Sequence, residues 1–97
     1  MSNKNRIYVL EVFTKNSQGQ YIREIFTFDY HKEALLWLCE QEKYKHSLYI
    51  GGYYEANNYY LEPYAYIEKV ADSEVEGAVP VNVLRTLKED VSFWRNN

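Results

Sequence analysis

RIYVLEVFTKNSQGQYIREIFTF, residues 6–28, decides the fold. Arg6–Thr14 is rich in β-branched, aromatic and aliphatic side chains on both faces of an extended chain, and only Glu11 interrupts it. Such a run suits an inner strand. Lys15–Gln20 then supplies turn chemistry, with Gly19 free to take positive φ. Tyr21–Phe28 alternates, with Ile22, Phe26 and Phe28 on one side and Arg23 and Thr27 on the other. Folding the two runs into a hairpin sets Tyr8, Leu10 and Val12 beside Ile22, Phe26 and Phe28, which is a core face. Ile7, Val9, Phe13, Tyr21 and Ile25 are left for the opposite face.

Downstream of the hairpin, Asp29 is placed to cap a helix running to about Tyr44. At 100° per residue, Tyr30, Ala34, Trp37, Leu38, Gln41 and Tyr44 share one side, with Leu35 at its edge. Leu36 falls among Lys32, Glu33, Glu40 and Lys43 on the other side. Ser47–Tyr54 and Tyr59–Val70 read as a second hairpin around residues 55–58, with Pro63 marking an edge or a bulge. Gly51 and Gly52 leave a gap in the sheet surface that a neighbouring tyrosine can fill. Ala71–Val79 reads as an acidic loop. Pro80 suits the first turn of a second helix carrying the stripe Leu84, Leu87, Val91, Trp94. The element order is therefore ββαββα. The expected architecture is a single α+β domain over residues 1–97, a four-stranded antiparallel sheet with two helices on one face.

Composition narrows function. The chain has 97 residues, a hydrophobic fraction of 46% and a net charge of −3. That is enough for one modest core. Charge is uneven: residues 55–76 hold six acids against the single Lys69, whereas the flanking segments each carry one excess positive charge. No basic cluster is present, which argues against direct nucleic-acid binding. No hydrophobic leader opens the chain, and the longest apolar run is Ala34–Cys39, too short for a membrane span. With Cys39 as the sole cysteine, the expected setting is a reducing cytoplasm.

Catalytic and metal motifs are missing. His31, Cys39 and His46 lack metal-ligand spacing, and Cys39 falls in mid-helix among leucines, where nothing lowers a thiol pKa. Neither a nucleophile elbow nor a phosphate-binding glycine loop occurs, and Glu74 and Glu76 read as a wet acidic surface. No cofactor is expected. The prominent signal is tyrosine, 11 residues of 97. Tyr49, Tyr53, Tyr54, Tyr59, Tyr60, Tyr64 and Tyr66 crowd the second hairpin, with Glu55 and Glu62 beside them.

Tyrosine gives large, stiff contact area with a polar tip, so this cluster is a candidate partner-binding surface. Cross-strand aromatic pairing accounts for the same residues and is the competing reading. The expectation is a non-enzymatic protein-binding module whose aromatic hairpin and acidic rim meet a basic groove. Its concrete form is a small mobile-element inhibitor of a nucleic-acid-acting host enzyme, of the anti-CRISPR or other anti-defence kind. A sugar-binding domain and a homodimer built on the exposed sheet face are the alternatives.

Overall fold

A computed structural model describes residues 6–61, 75 and 77–88. β1 (Arg6–Lys15) and β2 (Tyr21–Phe28) form the first hairpin, with Leu10 opposite Phe26 and Tyr8 opposite Phe28. Gly19, at φ 81°, closes the turn. The Asn16 carboxamide oxygen accepts hydrogen bonds there from the amides of Gln18 and Gln20, both at 2.9 Å. β1 lies inside the sheet, because β3 (Leu48–Glu55) pairs antiparallel along its other edge. β4 (Asn58–Leu61) follows β3 in a tight hairpin, giving the order β2-β1-β3-β4. A short fifth strand, β5 (Val79–Pro80), pairs with Leu48 and Tyr49 of β3. β4 and β5 thus occupy successive stretches of the same edge of β3. The fold is α+β, with an antiparallel sheet and two helices.

Both helices, α1 (His31–Glu40) and α2 (Val81–Lys88), pack on the face carrying Leu10, Val12 and Tyr49. Leu35, Leu38, Val81 and Leu84 complete a single buried cluster. Full burial of each such side chain contributes about 1.5–3 kcal/mol.

Several details depart from the sequence expectation. α1 stops at Glu40 instead of reaching Tyr44. Gln41 turns extended (φ −88°, ψ 104°), and one turn of 3-10 helix (Glu42–Tyr44) follows. The Gln41 carbonyl accepts a 2.6 Å hydrogen bond from Arg85 of α2, which satisfies the helix end from outside. The break brings Tyr44 into the core, where its hydroxyl donates to Glu24 at 2.8 Å. Burial, then that carboxylate, raises the phenol pKa.

Asp29 does not cap α1. The cap residue is Tyr30, with extended backbone and no side-chain hydrogen bond. Leu35 and Cys39 are buried while Tyr30 is exposed, so the inward face is rotated from the one read off the helical wheel. Ile22 shares the core-facing side with Phe26 but lies exposed, whereas Glu24, between them, takes the bond from Tyr44. Pro80 belongs to β5, and α2 begins at Val81, whose amide donates to the Ser47 carbonyl at 2.9 Å. Most of the expected strand Tyr59–Val70, and Val91 and Trp94 of the α2 stripe, lie outside the described residues.

Candidate functional site

Strand alternation sends odd-numbered residues of β1 to the face away from the helices. The register sets Val9 beside Thr27 and Gly52, Glu11 beside Ile25 and Ile50, and Ile7 beside Tyr54. β4 adds Tyr59 opposite Tyr54 and Leu61 opposite Gly52. The result is a continuous, largely apolar sheet face that no described element covers. Ile7, Ile25, Tyr54, Tyr59 and Leu61 are all exposed on it, from 37% for Tyr59 to 63% for Leu61. A trough of about 380 Å³ runs along this face, lined by Ile7, Val9, Glu11, Arg23, Ile25, Thr27, Tyr54 and Tyr59. Clustered apolar exposure of this kind marks an interaction surface more often than a scatter of single residues does.

The trough has two unlike ends. Tyr54 and Tyr59 pack at one end with ring centroids 4.9 Å apart. The Tyr59 ring lies across Gly52, filling the place of a side chain that glycine does not have. At the other end, Arg23 Nε and a Glu11 carboxylate oxygen form a 3.2 Å ion pair. The Tyr59 phenol pKa is raised, first by burial and next by the negative charge of Glu11. The phenol therefore stays protonated, with its hydroxyl directed to the Glu11 carboxylate.

Tyr8, Tyr53 and Tyr60 belong to the other side. Tyr53 and Tyr60 stack at 5.3 Å, and Tyr8 meets Tyr53 at 5.7 Å. The Arg6 guanidinium sits 4.5 Å from the Tyr53 centroid and binds Glu55 at 2.9 Å. The Glu55 carboxylate raises the Arg6 pKa, chiefly through that hydrogen bond. His31 at the start of α1 approaches the Tyr8 ring at 5.7 Å, and burial lowers its pKa to about 4.

The tyrosines singled out from the sequence are therefore divided. Tyr54 and Tyr59 join the trough. Tyr53 is half-buried and Tyr60 exposed on the helix side of the sheet. Tyr49 corrects the expectation: it is 1% exposed and belongs to the core, because its alternation parity matches Tyr53 and it sits beneath both helices. Glu55 spends its charge on Arg6. Glu62, Tyr64 and Tyr66 lie outside the described residues.

The open-face set Ile7, Val9, Phe13, Tyr21 and Ile25 does lie on one side by register, and Ile7, Val9 and Ile25 line the trough. Glu11, Arg23 and Leu61 were not singled out from the sequence. The alternation of β1 and β2 already assigns Glu11 and Arg23 to this face, but their diagonal pairing needs the strand register.

Among the described residues, no three His, Cys, Asp or Glu side chains gather where they could hold a metal ion. Cys39 is buried and unbridged. No helix among these residues is long and apolar enough to cross a membrane. Compared with protein-family models, curated proteins and solved structures, the chain matches none.

Proposed function

We propose that this chain is a non-enzymatic protein-binding module that docks a partner on its open sheet face. The observation that carries this reading is the clustering of Ile7, Ile25, Tyr54, Tyr59 and Leu61 on the face opposite the helices. Leaving such groups in water forgoes about 25 cal/mol for each Å² of apolar surface, which a partner recovers on binding. Tyr54 and Tyr59 supply stiff aromatic contact at one end.

A buried Cys39 thiol suits work in a reducing compartment such as the cytoplasm. The finer form, an inhibitor seated in the basic groove of a nucleic-acid-acting enzyme, draws its support from the acidic segment 55–76 of the sequence. On the trough itself, one acid and one base cancel, so contact there is apolar rather than electrostatic.

Photo-cross-linking in cells of the natural host tests the reading. Benzoyl-phenylalanine in place of Tyr54 or Ile25 is expected to give discrete protein adducts, while the same group in place of the exposed Glu33 on α1 gives none. A face that yields no adduct from either position is not a docking surface.

A further inference from the structure

We infer that the occupant of the open sheet face is a second copy of this chain, packed face to face about a two-fold axis. The inference rests on the docking reading above and adds the identity of the partner. A two-fold interface must be self-complementary, since each patch meets its own image. The trough has that property. Its aromatic end presents the faces of Tyr54 and Tyr59, and its other end presents the Arg23 guanidinium, whose side chain is 57% exposed.

An axis lying obliquely across the strands near Val9 reverses the trough. It sets Arg23 of each copy over the Tyr54–Tyr59 rings of the other. A guanidinium over a desolvated aromatic face is an attractive contact. Ile25 then falls among Ile7 and Val9 of the opposite copy. The charge balance agrees. Glu11 and Arg23 neutralise each other within the trough, so two copies meet without like-charge repulsion there despite a chain charge of −3. A strongly basic partner has no unpaired carboxylate to meet among the trough residues.

The area is adequate. β1, β2 and β3, about 4.8 Å apart and overlapping for eight residues of about 3.4 Å each, present with the four residues of β4 about 450 Å² in projection. Relief from Ile7, Tyr54 and Leu61 raises the accessible surface toward the ~800 Å² per partner of a standard interface. Two sheets pack in this manner with their mean planes about 10 Å apart.

Sedimentation equilibrium decides the matter. At ~50 μM, wild-type protein is expected at twice the chain mass of 11.6 kDa. Ile25→Asp, at a half-exposed position, is expected at 11.6 kDa with an unchanged circular dichroism spectrum. Thr27→Arg on the same face gives a second variant that removes no core contact, and it is expected to be monomeric too. Arg23→Ala is expected to weaken dimerisation several-fold. A monomeric wild type overturns the inference, as does a dimer that survives both Ile25→Asp and Thr27→Arg. If the wild type is monomeric and the Tyr54 cross-linker captures a different protein, the docking face stands and its assigned occupant is wrong. If it is monomeric and no adduct forms, both readings fall.

Discussion

Replacing Gly52 by alanine tests the packing that shapes the trough. A Cβ at this position would stand 2.6 Å from the Tyr59 ring carbon that bears the hydroxyl, and 2.7 Å from the Tyr60 carbonyl oxygen. Ordinary contact begins near 3.4 Å, so the ring must withdraw by about 0.8 Å and the β4 backbone by about 0.7 Å. Tyr59 can swing outward, because it is more than a third exposed. The Tyr60 carbonyl moves only with β4 itself.

Overpacking of this kind costs about 1–3 kcal/mol. Urea unfolding followed by circular dichroism should show a lower midpoint at unchanged m-value. The same substitution made in a Tyr59→Ala background should cost about 1 kcal/mol less, since the ring clash is gone and the backbone clash remains. A Gly52→Ala protein as stable as wild type refutes the close approach. An equal cost in both backgrounds shows that Tyr59 does not lie over Gly52.

Further outcomes follow from particular side chains. Ala56 (φ 53°) and Asn57 (φ 69°) form the two-residue turn between β3 and β4, a left-handed pair that alanine adopts at a cost. Converting it to Asn-Gly should raise stability by about 0.5–1 kcal/mol in thermal unfolding. Tyr44→Phe removes the 2.8 Å bond to Glu24 and should lower stability by about 1 kcal/mol, read by the same denaturant titration. Burial holds His31 near pKa 4 against its ordinary 6.5, so the unfolded chain takes up this proton first as pH falls. Its stability contribution is whole above about pH 6.5 and is lost progressively down to about pH 4, and a His31→Gln variant should flatten that part of the pH profile.

Local patterning carried much of the fold. The hairpin of β1 and β2 is legible because alternation and turn chemistry agree, and the register keeps Tyr8, Leu10 and Val12 on the face of Phe26 and Phe28. The glycine gap and the tyrosine that fills it were likewise legible as a kind of contact, although Tyr59 could be named only once Gly52 and Leu61 were known to pair.

Tertiary decisions were not legible. α1 ends at Glu40, and the Gln41 carbonyl just beyond it is bound by Arg85 from far along the chain, a partner that no periodicity reports. Val81 reads as an ordinary first-turn residue, yet its amide is tied to Ser47 and its side chain is fully buried. The trough is a product of pairing β1 with β3. That pairing joins distant parts of the chain, so Ile7 and Tyr54 become neighbours only in the folded sheet.

Two-residue alternation also explains why the tyrosine hairpin must not be probed as a block. Tyr53 and Tyr54 are adjacent in sequence and face opposite sides, as do Tyr59 and Tyr60. Removing all four rings would strip the aromatic end of the trough and break the Tyr8–Tyr53–Tyr60 stack at once. Loss of binding in that variant would then say nothing about the surface. Single substitutions separate the two roles.

Tyr54→Ser takes away an exposed ring and should lower stability by no more than about 1 kcal/mol while abolishing association through the face. Tyr53→Ser removes a ring held between Tyr8, Tyr60 and the Arg6 guanidinium, and should cost about 2–4 kcal/mol. It should leave association of the remaining folded fraction intact. The reverse pattern, a stable Tyr53→Ser that no longer associates beside a Tyr54→Ser that still does, would move the docking surface to the helix side of the sheet.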